Sequence, residues 1–351
     1  MTDIAYSIVD EDSRKMASAP LPWNKLEGKT VLISGANGYV PAYFVHAFMA
    51  RNRLFHSRIN VVALCRSQKR AEERFARYLG CADFMLLIQD VRDPVRYEGR
   101  VDFIIHAASP ASTSNRHINC AETYTANVLG CHNLLEVSRR NTGCRFLLIS
   151  SVDVYGNTGS TERFSEDSLG VLDGLQPRNA YAMGKRGAET LSACYHAHYG
   201  VPTVIARPYQ IMGPGIGLND GRLHIDFISQ MLTNEKIVLK SDGSAKRSFL
   251  YITDAIWGML LILLSGTPGQ AYNVVDEGGE ASVLELATLM ASLCPNRSIN
   301  IEFDMSQRDT PAVTQAPIAS LGASQKLRGL SWVPEYTLEK AAARMMKAYD
   351  V

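Results

Sequence analysis

Three residues that together support acid/base chemistry lie between positions 151 and 185. Ser151 follows the apolar segment 146–149, and Tyr181 precedes Lys185 by four positions. Four residues are about one helical turn, so the phenol and the ammonium leave the same face of a helix, where the charge favours phenolate. The set indicates general acid/base catalysis on a hydroxyl or ketone whose carbon exchanges hydride. Because Tyr-x-x-x-Lys recurs by chance, an ordinary pair on a partly buried helix is the alternative.

A strand, a glycine-rich turn and a helix occupy residues 29–49. The segment 29–34 is a continuous apolar run, which is typical of a strand buried on both faces. Gly35 allows a tight turn, Gly38 allows close backbone approach, and the following helix N-terminus suits a pyrophosphate. Pro41 falls in the first helical turn, where a missing N–H has no intrahelical partner. The sequence therefore predicts a dinucleotide-binding loop that includes Asn37, Tyr39 and Val40.

The second predicted strand, 59–64, is not followed by an acidic residue. Cys65 stands where a carboxylate would accept the ribose hydroxyls of NAD, and Arg66 comes next. An arginine there suits the 2′-phosphate of NADP, although a solvated basic helix start explains it equally. We therefore expect NAD as the cofactor and consider NADP possible.

Strands and helices alternate through residue 207 without hairpin signals. Further strands are predicted at 84–88, 101–106, 146–149 and 203–207, with long helices at 124–139 and 181–199. This alternation predicts an α/β fold, a Rossmann-type doubly wound parallel sheet, followed by a smaller mixed α/β C-terminal substrate-binding part. Asp90 is expected near the adenine amino group. Other residues expected to contact the cofactor are Val91, Ala107, Ala108, Ser109 and Asn127.

The proposed domains are an N-terminal arm at 1–27, a dinucleotide-binding Rossmann domain at 28–207 and a mainly nucleotide-sugar-binding region at 208–351. Some segments of the last region are expected to return to the Rossmann domain. The arm is expected to be loosely held, with Trp23 packing on the body or on a neighbouring subunit.

Composition excludes several classes of function. The 351 residues carry a net charge of +1, which gives no electrostatic reason to expect nucleic acid or an anionic membrane. The seven cysteines form no CxxC pair and no cluster with histidine, so reduced thiols in a cytoplasm are expected, without structural zinc or any other metal. The N-terminus lacks the layout of a signal peptide. The longest apolar run, 256–264, is too short to span a bilayer and is interpreted as a buried helix.

These motifs in this order resemble an extended short-chain dehydrogenase/reductase of the nucleotide-sugar epimerase/dehydratase family. The resemblance covers about residues 28–345, and its motifs include the sequence from Ser151 to Gly156 and the pair Arg207-Pro208. Three further stretches, 108–112, 184–190 and 218–222, are similar to the UDP-glucuronate decarboxylase and dTDP-glucose 4,6-dehydratase branch.

The resemblance implies a reaction that starts at C4 of a nucleotide-diphosphate sugar. Tyr181 would deprotonate the 4-hydroxyl as hydride leaves C4, Lys185 would hold the nicotinamide ribose and lower the Tyr181 pKa, and Ser151 would hydrogen-bond the 4-oxygen. Arg207 is expected near the cofactor. The residues expected to contact the substrate are Ser112, Gln210, Arg222 and Arg247. A homodimer built from the helices beginning near residues 124 and 181 is also implied.

Departures from the family pattern leave the outcome of the reaction open. The acidic pair of the dehydratase branch is replaced by Val152 and Asp153, which leaves Asp153 as a possible base or hexose contact. Residues 312–317 contain no arginine that would recognise a carboxylate, and Pro41 replaces the third glycine of the nucleotide loop. A 4-epimerase is expected because it needs no second acid/base pair. The alternatives are a 4,6-dehydratase or UDP-glucuronate decarboxylase, an NADP-dependent keto-sugar reductase, and a non-catalytic nucleotide-binding scaffold.

Overall fold

The computed structural model describes residues 3–110, 119–159, 161–234, 236–294, 297–307 and 319–351. Its largest element is a seven-stranded sheet in the order β10-β6-β5-β4-β1-β2-β3, with every pair parallel. Numbered in chain order, these strands are β1 Thr30–Ser34, β2 Asn60–Cys65, β3 Phe84–Ile88, β4 Phe103–His106, β5 Arg145–Ile149, β6 Thr203–Pro208 and β10 Gln270–Val274. The order reverses between β1 and β4, and this is where an open α/β sheet forms a ligand crevice at the carboxyl ends of its strands.

Helices cover both faces of this sheet, as predicted for a doubly wound fold. In chain order they are α1 Asp3–Ala17, α2 Tyr39–Phe55, α3 Gln68–Phe75, α4 Cys120–Arg140, α5 Ala180–Tyr199, α6 Leu223–Asn234, α7 Ile252–Ser265, α8 Val283–Ser292, α9 Gln325–Arg328 and α10 Leu338–Ala348. The buried side chains of α2 and α7 form the core on one face, and those of α4 and α5 form the core on the other. The apolar run at 256–264 lies within α7 and is buried, in agreement with the sequence.

The second part of the chain builds two small sheets beside the large one. One contains β7 Gln210–Met212, β9 Lys246–Tyr251, β11 Glu280–Ser282 and β13 Ala319–Ser320, and the other pairs β8 Lys236–Leu239 with β12 Asn300–Phe303. Apolar residues of α6, α8 and α10 pack against them in a separate core. Because β10 joins the large sheet, residues on both sides of position 207 share one sheet.

The expectation of a loosely held N-terminal arm is wrong. Ile8, Val9 and Met16 of α1 are buried, and α1 packs against α2, α7 and α10. Asp12, which is fully buried, accepts hydrogen bonds from the Tyr251 hydroxyl at 2.7 Å and from Arg344 at 2.8 and 3.0 Å. Trp23 packs edge-on against Phe48 of the body, with ring centroids 6.4 Å apart. The arm is therefore part of the folded body.

No described helix has both the length and the apolar content needed to cross a bilayer. Within the same part of the chain, no group of three or more His, Cys, Asp and Glu side chains is arranged to hold a metal ion.

Candidate active site

A cleft of about 820 Å³ opens at the carboxyl ends of the central strands. Its walls include the turn after β1, the segments that follow β2, β3, β4 and β5, and residues from α5, α6, β7 and β9. The cleft therefore lies at the topological switch point of the sheet and extends to the smaller part of the chain, where nucleotide ligands bind in such folds.

The turn after β1 closely approaches the segment after β4. Gly35 has a φ of 65°, and a Cβ atom there would lie 2.7 Å from the Cα of Ala108. The Ser34 hydroxyl accepts hydrogen bonds from the backbone N–H groups of Ala107 and Ala108, each at 3.1 Å, and lies 2.8 Å from Nδ1 of buried His106. Gly35, which has no side chain, and the small residues Ala107 and Ala108 therefore allow the turn after β1 to pack closely against the segment after β4.

Helix α2 begins directly from this turn. Gly38 is its N-cap residue, with extended backbone, and its N–H donates to the Gly35 carbonyl at 2.8 Å. Pro41 is buried in the first turn, and the N–H of Ala42 still reaches the Gly38 carbonyl at 3.2 Å. Pro41 is therefore compatible with the helix start, and the first N–H groups of α2 remain available at the cleft.

Ser151, Tyr181 and Lys185 are brought together at one wall of the cleft. The Ser151 hydroxyl accepts a hydrogen bond from the backbone N–H of Asp153 at 3.1 Å, which caps the short 3₁₀ helix that follows β5. Lys185 is buried, and its ammonium donates to the Ile149 carbonyl at 2.7 Å. It lies 5.9 Å from the centroid of the Tyr181 ring.

Burial governs the charge of Lys185. Desolvation lowers its pKa to about 8 from the ordinary value of 10.5. Buried His106, which desolvation and the neighbouring Lys185 hold at a pKa of about 3, is neutral near pH 7. Because a positive charge near a phenol favours phenolate, the protonated form of Lys185 favours the phenolate form of Tyr181, as a general base would require.

Two arginines from the second part of the chain line the same cleft. The Arg222 guanidinium lies 5.3 Å from the centroid of the Tyr39 ring, and its Nε is 3.2 Å from a carboxylate oxygen of Asp220. Arg247, on β9, donates to the Lys246 carbonyl at 2.7 Å, and burial lowers its pKa. Planar guanidinium groups at a partly buried site suit a diphosphate.

Four buried hydroxyl groups of the cleft have no hydrogen-bond partner among the described residues. They belong to Tyr39, Ser109, Ser150 and Tyr209, which all line the cleft. Buried polar groups are normally hydrogen-bonded, so these atoms indicate that the cleft is completed by a polar ligand. Together with the glycine turn and the α2 N-terminus, they fit a dinucleotide.

Most of the predicted site residues line this cleft. Besides the three residues of the catalytic set, these are Gly35, Asn37, Gly38, Tyr39, Val40, Arg66, Asp90, Val91, Ala107, Ala108, Ser109, Asp153, Gln210, Arg222 and Arg247. Ser112 lies outside the described residues.

Two predicted cofactor residues lie elsewhere. Arg207, on β6, donates to both carboxylate oxygens of Glu189 at 2.8 and 3.0 Å and to the Tyr155 hydroxyl at 3.0 Å. Because Glu189 belongs to α5, the Arg207 guanidinium links this helix to the sheet. The amide of Asn127 donates to the Thr123 carbonyl within α4 at 2.8 Å, and the residue is fully buried. Neither residue lines the cleft, and their expected contacts with the cofactor stay predictions.

Sequence reasoning missed several residues of the cleft. Asp226, on the first turn of α6, lies one turn beyond Arg222, and this spacing was the available signal. Tyr209 precedes the predicted Gln210, and Ser150 precedes Ser151. Arg92 follows β3, and only the structure places it at the same cleft as Arg66 and Arg70, the arginines that the sequence shows after β2.

Comparisons with known proteins agree with this geometry. The sequence model of the NAD dependent epimerase/dehydratase family matches residues 31–275. The chain is 31% identical to UDP-glucuronic acid decarboxylase 2 of Arabidopsis thaliana over 326 residues, covering 93% of this chain and 69% of that protein. It is also 31% identical to UDP-glucuronic acid decarboxylase 1 of Danio rerio, covering 92% of this chain and 73% of that protein.

Solved structures show the same fold. The UDP-glucuronic acid 4-epimerase of Bacillus cereus, in complex with UDP-glucuronic acid and NAD, matches with a TM-score of 0.77 and 21% identity over 92% of this chain and 99% of that one. The dTDP-glucose 4,6-dehydratase of Bacillus anthracis, in complex with NAD, matches with a TM-score of 0.75 and 19% identity over 92% of this chain and 96% of that one. These results confirm the predicted fold, the predicted class of enzyme and NAD as the expected cofactor.

Proposed function

This chain belongs to the NAD dependent epimerase/dehydratase family, and we propose that it oxidises a UDP-sugar at C4 and then acts on the 4-keto sugar. The observation that carries the proposal is the convergence of Ser151, Tyr181 and Lys185 on a cleft that Arg222 and Arg247 also line. The first set suits proton removal from a hydroxyl, and the second suits a diphosphate.

Each group has a defined task in this reaction. NAD, when bound, would supply the hydride acceptor for oxidation at C4 and the donor for its reversal. Tyr181 takes the proton of the 4-hydroxyl, and the buried ammonium of Lys185 stabilises the phenolate that makes this possible. Ser151 donates its hydroxyl hydrogen to the 4-oxygen while its own oxygen accepts from the Asp153 N–H. The turn from Gly35 to Gly38 and the start of α2 hold the pyrophosphate of the cofactor.

Decarboxylation of UDP-glucuronate is the outcome that the relatives favour. The two decarboxylases compared above are each 31% identical to this chain over about nine-tenths of its length. Oxidation at C4 makes the C6 carboxylate part of a β-keto acid, which loses carbon dioxide readily. Asp153 and Arg247 both line the cleft, and their opposite charges attract each other. This pair of charged groups therefore lies where we propose that the sugar binds. The electron pair of the broken C5–C6 bond stays on the sugar as the enolate of the 4-ketone, and this enolate takes up one proton from solvent at C5 before hydride returns to C4.

A 4-epimerase is the second candidate, because the chain lacks an arginine at residues 312–317. A decarboxylase uses such a residue to hold the carboxylate, and the segment lies outside the described residues. Epimerisation needs only removal and return of hydride at C4, and Val152 next to Asp153 provides no second carboxylate. The sugar would have to turn in the cleft between the two transfers.

Three parallel incubations distinguish these outcomes. The purified protein and NAD are incubated with UDP-glucuronic acid, UDP-glucose or dTDP-glucose, and the masses of the separated nucleotide sugars are measured by mass spectrometry. Loss of carbon dioxide identifies a decarboxylase, an isomer of unchanged mass a 4-epimerase, and loss of water from UDP-glucose or dTDP-glucose a dehydratase. Tyr181→Phe is the control, since it keeps the ring and removes the acid/base group. If these three sugars were all left unchanged by protein that had bound NAD, the proposal would be wrong.

A further inference from the structure

The cleft has a positively charged rim at the carboxyl ends of β2 and β3. Cys65 ends β2 and is fully buried, and burial raises the pKa of its thiol to about 11, so this side chain is neutral near pH 7. A carboxylate at this position would bind the 2′-hydroxyl of the adenosine ribose and would repel a 2′-phosphate. The structure therefore lacks the group that normally excludes the phosphorylated cofactor.

Two arginines lie directly beyond Cys65 and line the cleft. The Ser67 hydroxyl accepts a hydrogen bond from the backbone N–H of Arg70 and so caps α3. Arg66 directly precedes this cap and Arg70 lies in the first turn of the helix, so both arginines are held at the start of α3. Arg70 is exposed, and among the described residues its guanidinium makes no ion pair or side-chain hydrogen bond. The site thus presents a cation that is not already neutralised by this part of the chain.

The remaining charges of the rim are partly committed to one another. Arg92, from the segment after β3, donates to both carboxylate oxygens of Asp90 at 2.8 and 3.0 Å. Arg66 pairs with Glu122 of α4, which also lies 3.8 Å from Arg92. The rim therefore carries three arginines (Arg66, Arg70 and Arg92) and two carboxylates (Asp90 and Glu122), which leaves it one positive charge in excess.

The pair between Arg66 and Glu122 is easily exchanged for another partner. The Arg66 side chain is 65% exposed, and such a surface pair contributes little free energy. A phosphate dianion between Arg66 and Arg70 would receive the planar, bidentate donors that guanidinium groups provide.

We propose that this rim binds the 2′-phosphate of NADP(H), so that the chain accepts NADP(H) as well as NAD. The inference rests on the dinucleotide site of the proposed function and extends it to a second cofactor class. The proposed phosphate subsite is formed by Arg66 and Arg70, and no carboxylate at the end of β2 repels the phosphate.

The subsite is tested with two probes that differ only in the phosphate. Binding of adenosine 2′,5′-bisphosphate and of adenosine 5′-monophosphate to protein freed of bound nucleotide is measured by isothermal titration calorimetry. The bisphosphate is expected to bind more tightly. Arg66→Ala and Arg70→Ala are each expected to weaken its binding about tenfold and to leave the monophosphate unchanged. Arg100→Ala is the matched control, because Arg100 is exposed and, like Arg66, pairs with a carboxylate, that of Asp102, but does not line the cleft.

A reciprocal variant tests the missing carboxylate. Cys65→Asp is expected to weaken NADP⁺ binding relative to NAD⁺, whereas the neutral Cys65→Ser is expected to preserve their ratio. The proposal is overturned if the two adenosine probes bind equally to the native protein, or if the arginine variants weaken both to the same extent. Such a result with NAD⁺ still binding would leave the C4-oxidation proposal intact, whereas absence of any nucleotide binding would remove both.

Discussion

The ammonium of Lys185 on α5 donates a hydrogen bond to the carbonyl of Ile149, the last residue of β5, at 2.7 Å. Ser151 follows two positions later, and Tyr181 stands one helical turn before Lys185. This single bond therefore ties the helix that carries the phenol to the strand end that carries the serine. Lys185 therefore both links the two elements that carry Ser151 and Tyr181, the proposed catalytic groups, and places a positive charge near the Tyr181 ring.

Replacing this lysine should stop the chemistry without unfolding the protein. Lys185→Met removes the ammonium that supports the phenolate, so the rate of NAD reduction by UDP-glucuronic acid should fall about a hundredfold. Stopped-flow absorbance of the reduced nicotinamide measures this rate. Lys326→Met, which removes an exposed lysine paired with Gln270, should leave it unchanged. An unaffected rate in Lys185→Met would contradict the role given to the ammonium.

The same rate should decline as the pH rises through about 8. Burial lowers the pKa of Lys185 to about 8, so its ammonium is lost in that range. Lys185→Arg keeps a charged group at high pH, and its rate, though lower, should show no such decline. The pH dependence of single-turnover reduction measures the effect. A native rate that continued to rise to pH 10 would mean that the reaction does not need the charged lysine.

The stability of the protein should depend on pH in the opposite direction. The folded pKa of Lys185, about 8, is below its ordinary value of 10.5, so between these values the unfolded chain binds more protons than the folded one. The free energy of unfolding contributed by Lys185 therefore increases as the pH rises from about 8 to about 10.5. Urea unfolding of the native protein and of Lys185→Met should give a stability difference that moves in favour of the native protein across this range. A constant difference would show that the lysine is not desolvated.

Arg247 should determine affinity for the nucleotide of the substrate. Arg247→Ala is expected to weaken binding of UDP about tenfold, because a charge-assisted contact with the diphosphate is lost. Calorimetric titration with UDP measures this. Arg163→Ala, which removes an arginine paired with Glu280 outside the cleft, serves as the control. Equal affinity of Arg247→Ala and native protein for UDP would place the diphosphate elsewhere.

Gly35 should tolerate no side chain. Gly35→Ala combines a positive φ with a Cβ atom 2.7 Å from the Cα of Ala108, so it should lose both stability and NAD binding. Gly200 has a similar φ of 67° and no atom within 4 Å of a Cβ atom, so Gly200→Ala should incur only the backbone cost, about 1 kcal/mol. The close contact should cost Gly35→Ala about 1–3 kcal/mol more. Urea unfolding compares the two, and equal losses would mean that the turn can move away from Ala108.

The local pattern of the sequence was sufficient for the alternating strands and helices, the glycine-rich turn and the residues that follow each strand. Those features depend on neighbours in the chain: apolar runs define β1 to β6, and parallel strands bring their carboxyl ends to one edge. For this reason Ser151, Tyr181 and Lys185, which are distant in the chain, could be assigned to one site in advance.

Only the tertiary structure decided which side chains are committed to other partners. Arg207 follows the predicted pattern, yet its guanidinium is held by Glu189 of α5. The polar residues of α1 suggested an exposed arm, yet Asp12 is buried because Arg344 and Tyr251, far along the chain, neutralise and hydrogen-bond it. Hydrophobic periodicity reports burial averaged over a helix or strand. These pairings instead join separate elements, 18 residues apart for Arg207 and Glu189 and 239 or 332 residues apart for the partners of Asp12, and no local pattern records them.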